Sequence, residues 1–307
     1  MDIFIQQLIN GLVIGSIYAL VALGYTMVYG IINLINFAHG DVLMVGAMTS
    51  WTVVMALQGL AWPGFVVLLL ALLAAILVCS LLNFCIEKVA YKPLRSAHRL
   101  APLITAMGVS LLLQTLAIMI WKPGYKPFPI LLPSQSFEIG EAVIDLTQIM
   151  ILLVTAITLW GLMWLVHRTK LGRAMRATAE NPQAAALMGV KPDMVISATF
   201  VIGAALAALS GLMYAANYGS VQHAMGFLPG LKAFTAAVLG GIGNLPGAML
   251  GGLVLGVIES LGAGYIGLLT GDVLGSQYQD IFAFIVLILV LTLKPKGLLG
   301  ERVADRA

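Results

Sequence analysis

The 307-residue chain is 61% hydrophobic and only 9% charged, against about 25% charged residues in a typical soluble domain. So few charges cannot cover a surface in water, which excludes an ordinary soluble domain and points to a chain facing a bilayer. The formal net charge of +3 is small and scattered, and gives no basic face for a nucleic-acid partner.

Apolar segments fall at 8–29, 41–60, 64–86, 101–121, 147–167, 194–216, 231–260 and 279–293. Several reach the roughly 18–25 residues that span a hydrocarbon core. Without water each must satisfy its own backbone, so the segments are predicted to be helices. The first follows Met1-Asp2-Ile3-Phe4, which lacks the basic start of a signal peptide, so it is expected to stay as a membrane helix. Glycine pairs four residues apart, Gly11/Gly15, Gly247/Gly251 and Gly252/Gly256, mark places where helices approach closely. Cys79 and Cys85 lie in one apolar run; six residues apart, they face different sides of a helix and are expected to be two buried thiols rather than a disulfide or metal pair.

Charge orients the chain. Lys88, Lys92, Arg95 and Arg99 form one basic loop, Arg168, Lys170, Arg173, Arg176 and Lys191 a second, and Lys294, Lys296, Arg302 and Arg306 fill the tail. The positive-inside rule makes all three cytoplasmic. The loop 121–146 mixes Lys122 and Lys126 with Glu138, Glu141 and Asp145, and Pro123, Pro127, Pro129 and Pro133 keep it extended. One helix separates it from each of the first two basic loops, so it belongs outside.

Both flanks of 231–260 then lie outside, and the segment must cross an even number of times. Its middle, Gly240-Gly241-Ile242-Gly243-Asn244-Leu245-Pro246-Gly247, breaks a helix. Two short helices folded as a hairpin are expected, either re-entrant or crossing twice, with Lys232 opposite Glu259. A weak internal repeat fits this arrangement: Tyr29-Gly30 precedes Phe37-Ala38-His39-Gly40, and Tyr218-Gly219 precedes Phe227-Leu228-Pro229-Gly230. Many transporters consist of two such halves with the solute path between them.

No catalytic site announces itself, and no enzyme activity, metal or other cofactor is expected. A Gly-x-x-x-x-Gly-Lys-Ser/Thr phosphate loop is missing, so the chain does not cradle ATP in the usual way. His39, His98, His167 and His223 have no metal-ligand spacing. Asn33, Asn36, His39 and Asp41 interrupt one apolar stretch, and Lys232 and Glu259 another. An ionisable group at the membrane centre costs about 2.5–3.5 kcal/mol on insertion scales, so such groups normally face a cavity or a partner. These six are candidates for lining a translocation path; capping, structural pairing or an interfacial position is the alternative.

The second basic loop is the most distinctive segment. Asn181 is a good N-cap, Pro182 a good first helical residue, and Gly189 with Pro192 ends the helix after about two turns. The loop holds either an ordinary capped helix or a docking knob with a small-residue face. Its sequence Gln183-Ala184-Ala185-Ala186-Leu187-Met188-Gly189 resembles the Glu-Ala-Ala-x-x-x-Gly motif of ABC-importer permeases, whose helix fits a cleft on the ATPase. Gln stands in place of Glu, which gives no support to a carboxylate there. On that resemblance Arg173, Arg176, Glu180, Asn181, Pro182, Gln183, Ala184, Ala185 and Gly189 are the candidate ATPase-coupling residues.

Over nearly its whole length the chain resembles the branched-chain amino-acid permease family, specifically its LivH-type subunit. The stretches that carry the resemblance are Tyr25-Thr26-Met27-Val28-Tyr29-Gly30-Ile31-Ile32, Ile35-Asn36-Phe37-Ala38-His39-Gly40 and Lys232-Ala233-Phe234-Thr235-Ala236-Ala237-Val238-Leu239-Gly240-Gly241-Ile242-Gly243. The resemblance implies a second, LivM-like permease, two ABC ATPase subunits, a periplasmic amino-acid-binding protein, the bacterial inner membrane, and import of leucine, isoleucine and valine. The expectation is thus one all-α polytopic permease domain over 1–307, embedded in lipid, with about eight to ten membrane segments, broken or re-entrant helices and alternating access. The rivals are a urea or short-amide ABC permease, an ion-coupled secondary transporter using Asp41, Lys232 or Glu259, and a non-transporting scaffold or respiratory-complex subunit.

Overall fold

A computed structural model describes residues 2–300 apart from 61, 96, 99, 134, 141, 272, 274, 276, 277, 295 and 296. Arg99, Glu141, Lys296, Arg302 and Arg306, which entered the charge argument, lie outside the described residues.

The fold is α-helical. In chain order the helices are α1 (Asp2–Ile32), α2 (His39–Leu57), α3 (Gly64–Ile86), α4 (Leu100–Trp121), α5 (Leu146–Arg168), α6 (Lys170–Glu180), α7 (Pro182–Leu187), α8 (Pro192–Tyr218), α9 (Phe227–Gly240), α10 (Leu245–Thr270) and α11 (Gln279–Leu293). Seven of them, α1 to α5, α8 and α10, are long and apolar enough to cross a membrane. The apolar helices α9 and α11 have only 14 and 15 residues, about 21–23 Å at 1.5 Å per residue, which falls short of a hydrocarbon core of about 30 Å. The expected break in 231–260 is present: α9 ends at Gly240 and Asn244 caps α10 by accepting from the Gly247 N–H at 3.0 Å. The expectation of two short arms is corrected. Only α9 is short, because the chain between α8 and α9 is not helical; α10 runs uninterrupted for 26 residues, its one proline, Pro246, sitting in the first turn where it is tolerated.

The layering follows from side-chain size. The most apolar stretch of α1 is almost wholly buried, although Ile3, Phe4 and Ile5 at its start are exposed, whereas α3, α4 and α5 expose most of their surface as large aliphatic and aromatic groups such as Leu77, Leu111 and Trp160, the composition of a lipid-facing face. Helices α8, α9 and α10 pack on α1. The spaced glycines make this possible. A Cβ on Gly15 would lie 2.9 Å from the Gly252 carbonyl oxygen, one on Gly11 2.6 Å from Val257 Cα, and one on Gly256 would run into the backbone of Gly15. Gly247 and Gly251 give α10 the same close approach to Gly240 and Ala236 of α9. Cys79 is buried, with its thiol 3.4 Å from the Val42 carbonyl oxygen, but Cys85 is exposed. Six residues rotate the side chain by about 240°, enough to turn it onto the outer face of α3.

Long-range contacts sort the connections onto two ends. At one end Arg95 pairs with Glu87, at the C-terminal end of α3, and lies 2.6 Å from Asp193 in the first turn of α8; Lys92 lies 2.8 Å from Asp193. The tail meets the α9–α10 turn there, Leu298 and Leu299 donating to the carbonyls of Leu239 and Gly240 at 2.8 and 3.0 Å. At the other end the mixed-charge loop forms strands β1 (Lys126–Pro127), β2 (Ser136–Ile139) and β3 (Ala142–Asp145), with β4 (Ser220–Val221) following α8. Strand β1 pairs antiparallel with β4, and β2 with β3. Gln6, near the start of α1, donates to the Val143 carbonyl at 3.1 Å and accepts from its N–H at 2.8 Å.

Gly256→Leu is expected to lower membrane abundance severalfold on immunoblots, because the added side chain has no room against α1. Gly161→Leu, where a Cβ meets nothing within 4 Å, is the control expected to leave abundance unchanged.

Candidate functional site

Two interruptions of the helical ladder dominate the interior. The first follows α1. Asn33 takes a left-handed conformation, φ 53°, and six residues pass before α2 begins at His39. Their backbone runs back beside α1, so the His39 ring sits against Gly24, about two turns before the end of α1. A Cβ at Gly24 would collide with the His39 ring, and one at Gly203 of α8 would lie 3.6 Å from it. The two glycines make the notch that the imidazole fills. Tyr25 covers it edge-on at 4.9 Å. Neither His39 ring nitrogen has a protein partner.

The second interruption follows α8, which ends on left-handed Gly219, φ 64°. After β4 the chain turns inward and α9 starts at Phe227. The two breaks meet. A Cβ on Gly40 would lie 2.5 Å from the Gly226 carbonyl oxygen and 2.9 Å from Gly230 Cα. The corresponding segments of the weak repeat thus touch each other. Non-helical backbone at membrane depth is tolerated where it is buried in protein or lines a cavity.

The polar candidates separate into groups. Asn33 is exposed and donates its backbone N–H to the Tyr29 carbonyl at 2.8 Å, apart from the other candidates. Asn36 is buried, and its side-chain oxygen accepts from Tyr91 Oη at 2.9 Å and from the Ala38 N–H at 3.2 Å. Asp41 is buried and accepts from Gln114 Nε2 of α4 at 3.0 Å. Lys232 and Glu259 do meet, Nζ to Oε1, at 2.6 Å. Lys232 also lies 2.6 Å from Asp280 Oδ1, and its ammonium donates to Tyr18 Oη at 3.3 Å. Lys232 and Glu259 are 5% and 1% exposed, and Glu259 Oε2 has no partner. Tyr91, Gln114, Tyr18 and Asp280 were absent from the sequence-derived set. Asp280 sits in the first turn of α11, where an acid reads as an ordinary helix-end residue; its place at the start of the last apolar segment was the signal.

The basic-end loop forms two helices. Thr169 caps α6, accepting from the Gly172 N–H at 3.1 Å. Asn181 caps α7, its side-chain oxygen accepting from the N–H groups of Gln183 and Ala184 at 3.0 Å each. Pro182 opens α7, and Gly189, φ 85°, follows it. Arg173, Arg176, Gln183 and Ala184 are exposed, and Arg176 donates to the Val166 carbonyl. Ala185 is only 4% exposed and faces its own protein, while Leu187 and Met188 are 89% and 85% exposed. The exposed surface of the knob therefore joins small residues, Ala184, Ala186 and Gly189, to a large apolar tip, Leu187 and Met188.

Removing one member of a buried ion pair typically costs about 3–5 kcal/mol, because the other charge is left uncompensated. Lys232→Met alone should therefore lower membrane abundance and uptake more than Lys232→Met combined with Glu259→Gln. A double-mutant cycle on both readouts checks this; strictly additive effects would mean that the pair is uncoupled.

The family described as "Branched-chain amino acid transport system / permease component" matches residues 7–291. The high-affinity branched-chain amino acid transport system permease protein BraD of Pseudomonas aeruginosa is 48% identical over 304 residues, covering 97% of this chain and 96% of the relative. The corresponding LivH proteins of Salmonella typhimurium and Escherichia coli are 43% and 42% identical over 303 residues, with 97% and 96% coverage. With its multi-pass helical bundle and no phosphate loop of its own, the chain belongs to the permease components of branched-chain amino acid transport systems.

Proposed function

We propose that this chain is a membrane-spanning subunit of an ATP-driven importer of leucine, isoleucine and valine in the bacterial inner membrane. Two separate ATPases dock on the α6–α7 knob. A second, homologous permease completes the path, and a binding protein delivers solute to the end that carries the β-strands. The observation that carries the reading is the knob itself. It is a short helix, capped at one end by Asn181 and stopped at the other by Gly189, that presents exposed Leu187 and Met188 beyond the apolar bundle. Large apolar groups on a rigid polar loop are the surface a protein partner covers.

Mechanical continuity supports the coupling. Only Met188 to Lys191 separate α7 from α8, and α6 packs on both α1 and α8. A push on α7 reaches α8 directly. Helix α8 ends at the second break, whose backbone rests on Gly40 at the first. Rocking α8 thus shifts both breaks together, which is what alternating access requires.

The solute class follows from the relatives named above and fits the wall chemistry near the breaks. Tyr25, Tyr29, Ile35, Phe234, Ala237 and Ile242 line a narrow pocket there, a surface suited to a branched aliphatic side chain. Asn36, His39 and Asp41 lie beside it as candidates for polar contact once the bundle opens.

Changing Leu187 and Met188 together to Asp should leave membrane abundance unchanged, since both side chains are solvent-exposed. It should reduce ATPase co-purification and leucine uptake at least tenfold. Full ATPase association with normal uptake would refute docking at this knob.

A further inference from the structure

At the end of the bundle opposite the basic loops, a crevice of about 200 Å³ opens among five helices. Its polar lining is Gln7 and Asn10 of α1, Gln148 of α5, Asn217 of α8, Ser260 of α10 and Gln279 of α11, with Val13, Ile14 and Ala263 as the apolar part. Five carboxamides from four helices are an unusual convergence in a chain with 9% charged residues. Each offers both donors and an acceptor. Part of the set is already organised: Ser260 donates to Gln7 Oε1 at 2.7 Å, and Gln148 Nε2 to Asn10 Oδ1 at 3.4 Å.

Directly next in sequence to two lining residues, Ser260 and Gln279, stand Glu259 and Asp280. Both hold the Lys232 ammonium at 2.6 Å. Asp280 is the most accessible member of the cluster, 33% exposed at its side chain against 6% for Lys232. Two carboxylates face one ammonium, and Glu259 Oε2 is buried without a partner.

Opening such a cluster is expensive unless both charges are met at once. A simple cation would satisfy the carboxylates and strand Lys232. An anion would strand the carboxylates, and a neutral amide would satisfy neither. A molecule with an ammonium and a carboxylate on one carbon meets both.

We propose that the crevice and the Lys232–Glu259–Asp280 cluster form an outer acceptance site for a zwitterionic α-amino acid. The solute ammonium replaces Lys232 between Glu259 and Asp280. The solute carboxylate accepts from Lys232 and from crevice carboxamide N–H groups, and the aliphatic side chain lies on Val13, Ile14 and Ala263. The inference rests on the amino-acid reading above and adds where the solute is first held.

The test uses the assembled transporter, this permease with its partner permease and ATPases, purified without the binding protein in lipid nanodiscs. Radiolabelled leucine should bind saturably. Unlabelled leucine should displace it, whereas leucinamide (no carboxylate), 4-methylpentanoate (no ammonium) and urea should each compete at least tenfold less well. Asp280→Asn and Gln148→Leu should each weaken binding at least tenfold. As a readout that needs neither of those variants, Asn217→Cys in a Cys85→Ser background should react with a membrane-impermeant thiol reagent, and leucine should slow that reaction severalfold. Absent saturable binding, equal competition by leucinamide, or unprotected Asn217→Cys would each overturn the site. ATP-driven leucine import by the same wild-type complex with its binding protein is measured in parallel. Import without crevice binding removes only this site, whereas absence of leucine import removes the amino-acid reading itself.

Discussion

The contact of Gly40 with Gly226 and Gly230 is the constraint on which the rest of the bundle depends. Hydrocarbon offers no hydrogen bonds, so a chain that leaves the helical conformation at membrane depth must bury that backbone in protein. Here two such segments are buried against each other. The approach demands glycine, since a Cβ on Gly40 would fall 2.5 Å from a backbone oxygen. The break before α9 leaves that helix with 14 residues. Lys232, one and a half turns into it, projects inside the bundle rather than into lipid. The carboxylates of Glu259 and Asp280 answer that charge at 2.6 Å each, and so tie α9, α10 and α11 into one unit.

What was legible in the sequence was local or chemically loud. Asn181-Pro182 and Gly189 obey capping rules that operate within a few residues, and α7 appears where they place it. The Gly240–Gly247 stretch breaks the chain where glycine and proline require. Lys232 and Glu259 stand out because charge in an apolar run needs a partner. What was not legible depends on convergence. Gln7, Asn10, Gln148, Asn217 and Gln279 are unremarkable one at a time and meet only when the helices assemble. Leu187 and Met188 read as ordinary apolar residues until the fold turns them outward. The pairing of Lys126–Pro127 with Ser220–Val221 joins loops almost a hundred residues apart, beyond any local signal.

The same packing links the two ends of the molecule. The knob is rigid because Thr169 and Asn181 satisfy its helix starts, and it is continuous with α8. Helix α8 in turn, through Gly203, clasps His39 against Gly24 of α1 and ends beside the second break. A close-packed interior transmits displacement rather than absorbing it. In the proposed coupling, motion applied at the knob reaches the breaks and, through α9, the Lys232–Glu259–Asp280 cluster.

The central claim is that ATP hydrolysis by docked partners, and not an ion gradient, drives this permease. Leucine uptake into proteoliposomes containing the full complex, supplied with binding protein, tests it directly. Uptake should require ATP in the ATPase compartment and should persist unchanged when an ionophore collapses the proton gradient. Uptake that proceeds without ATP, or that stops with the gradient, would contradict the claim and favour ion coupling through Asp41, Lys232 or Glu259.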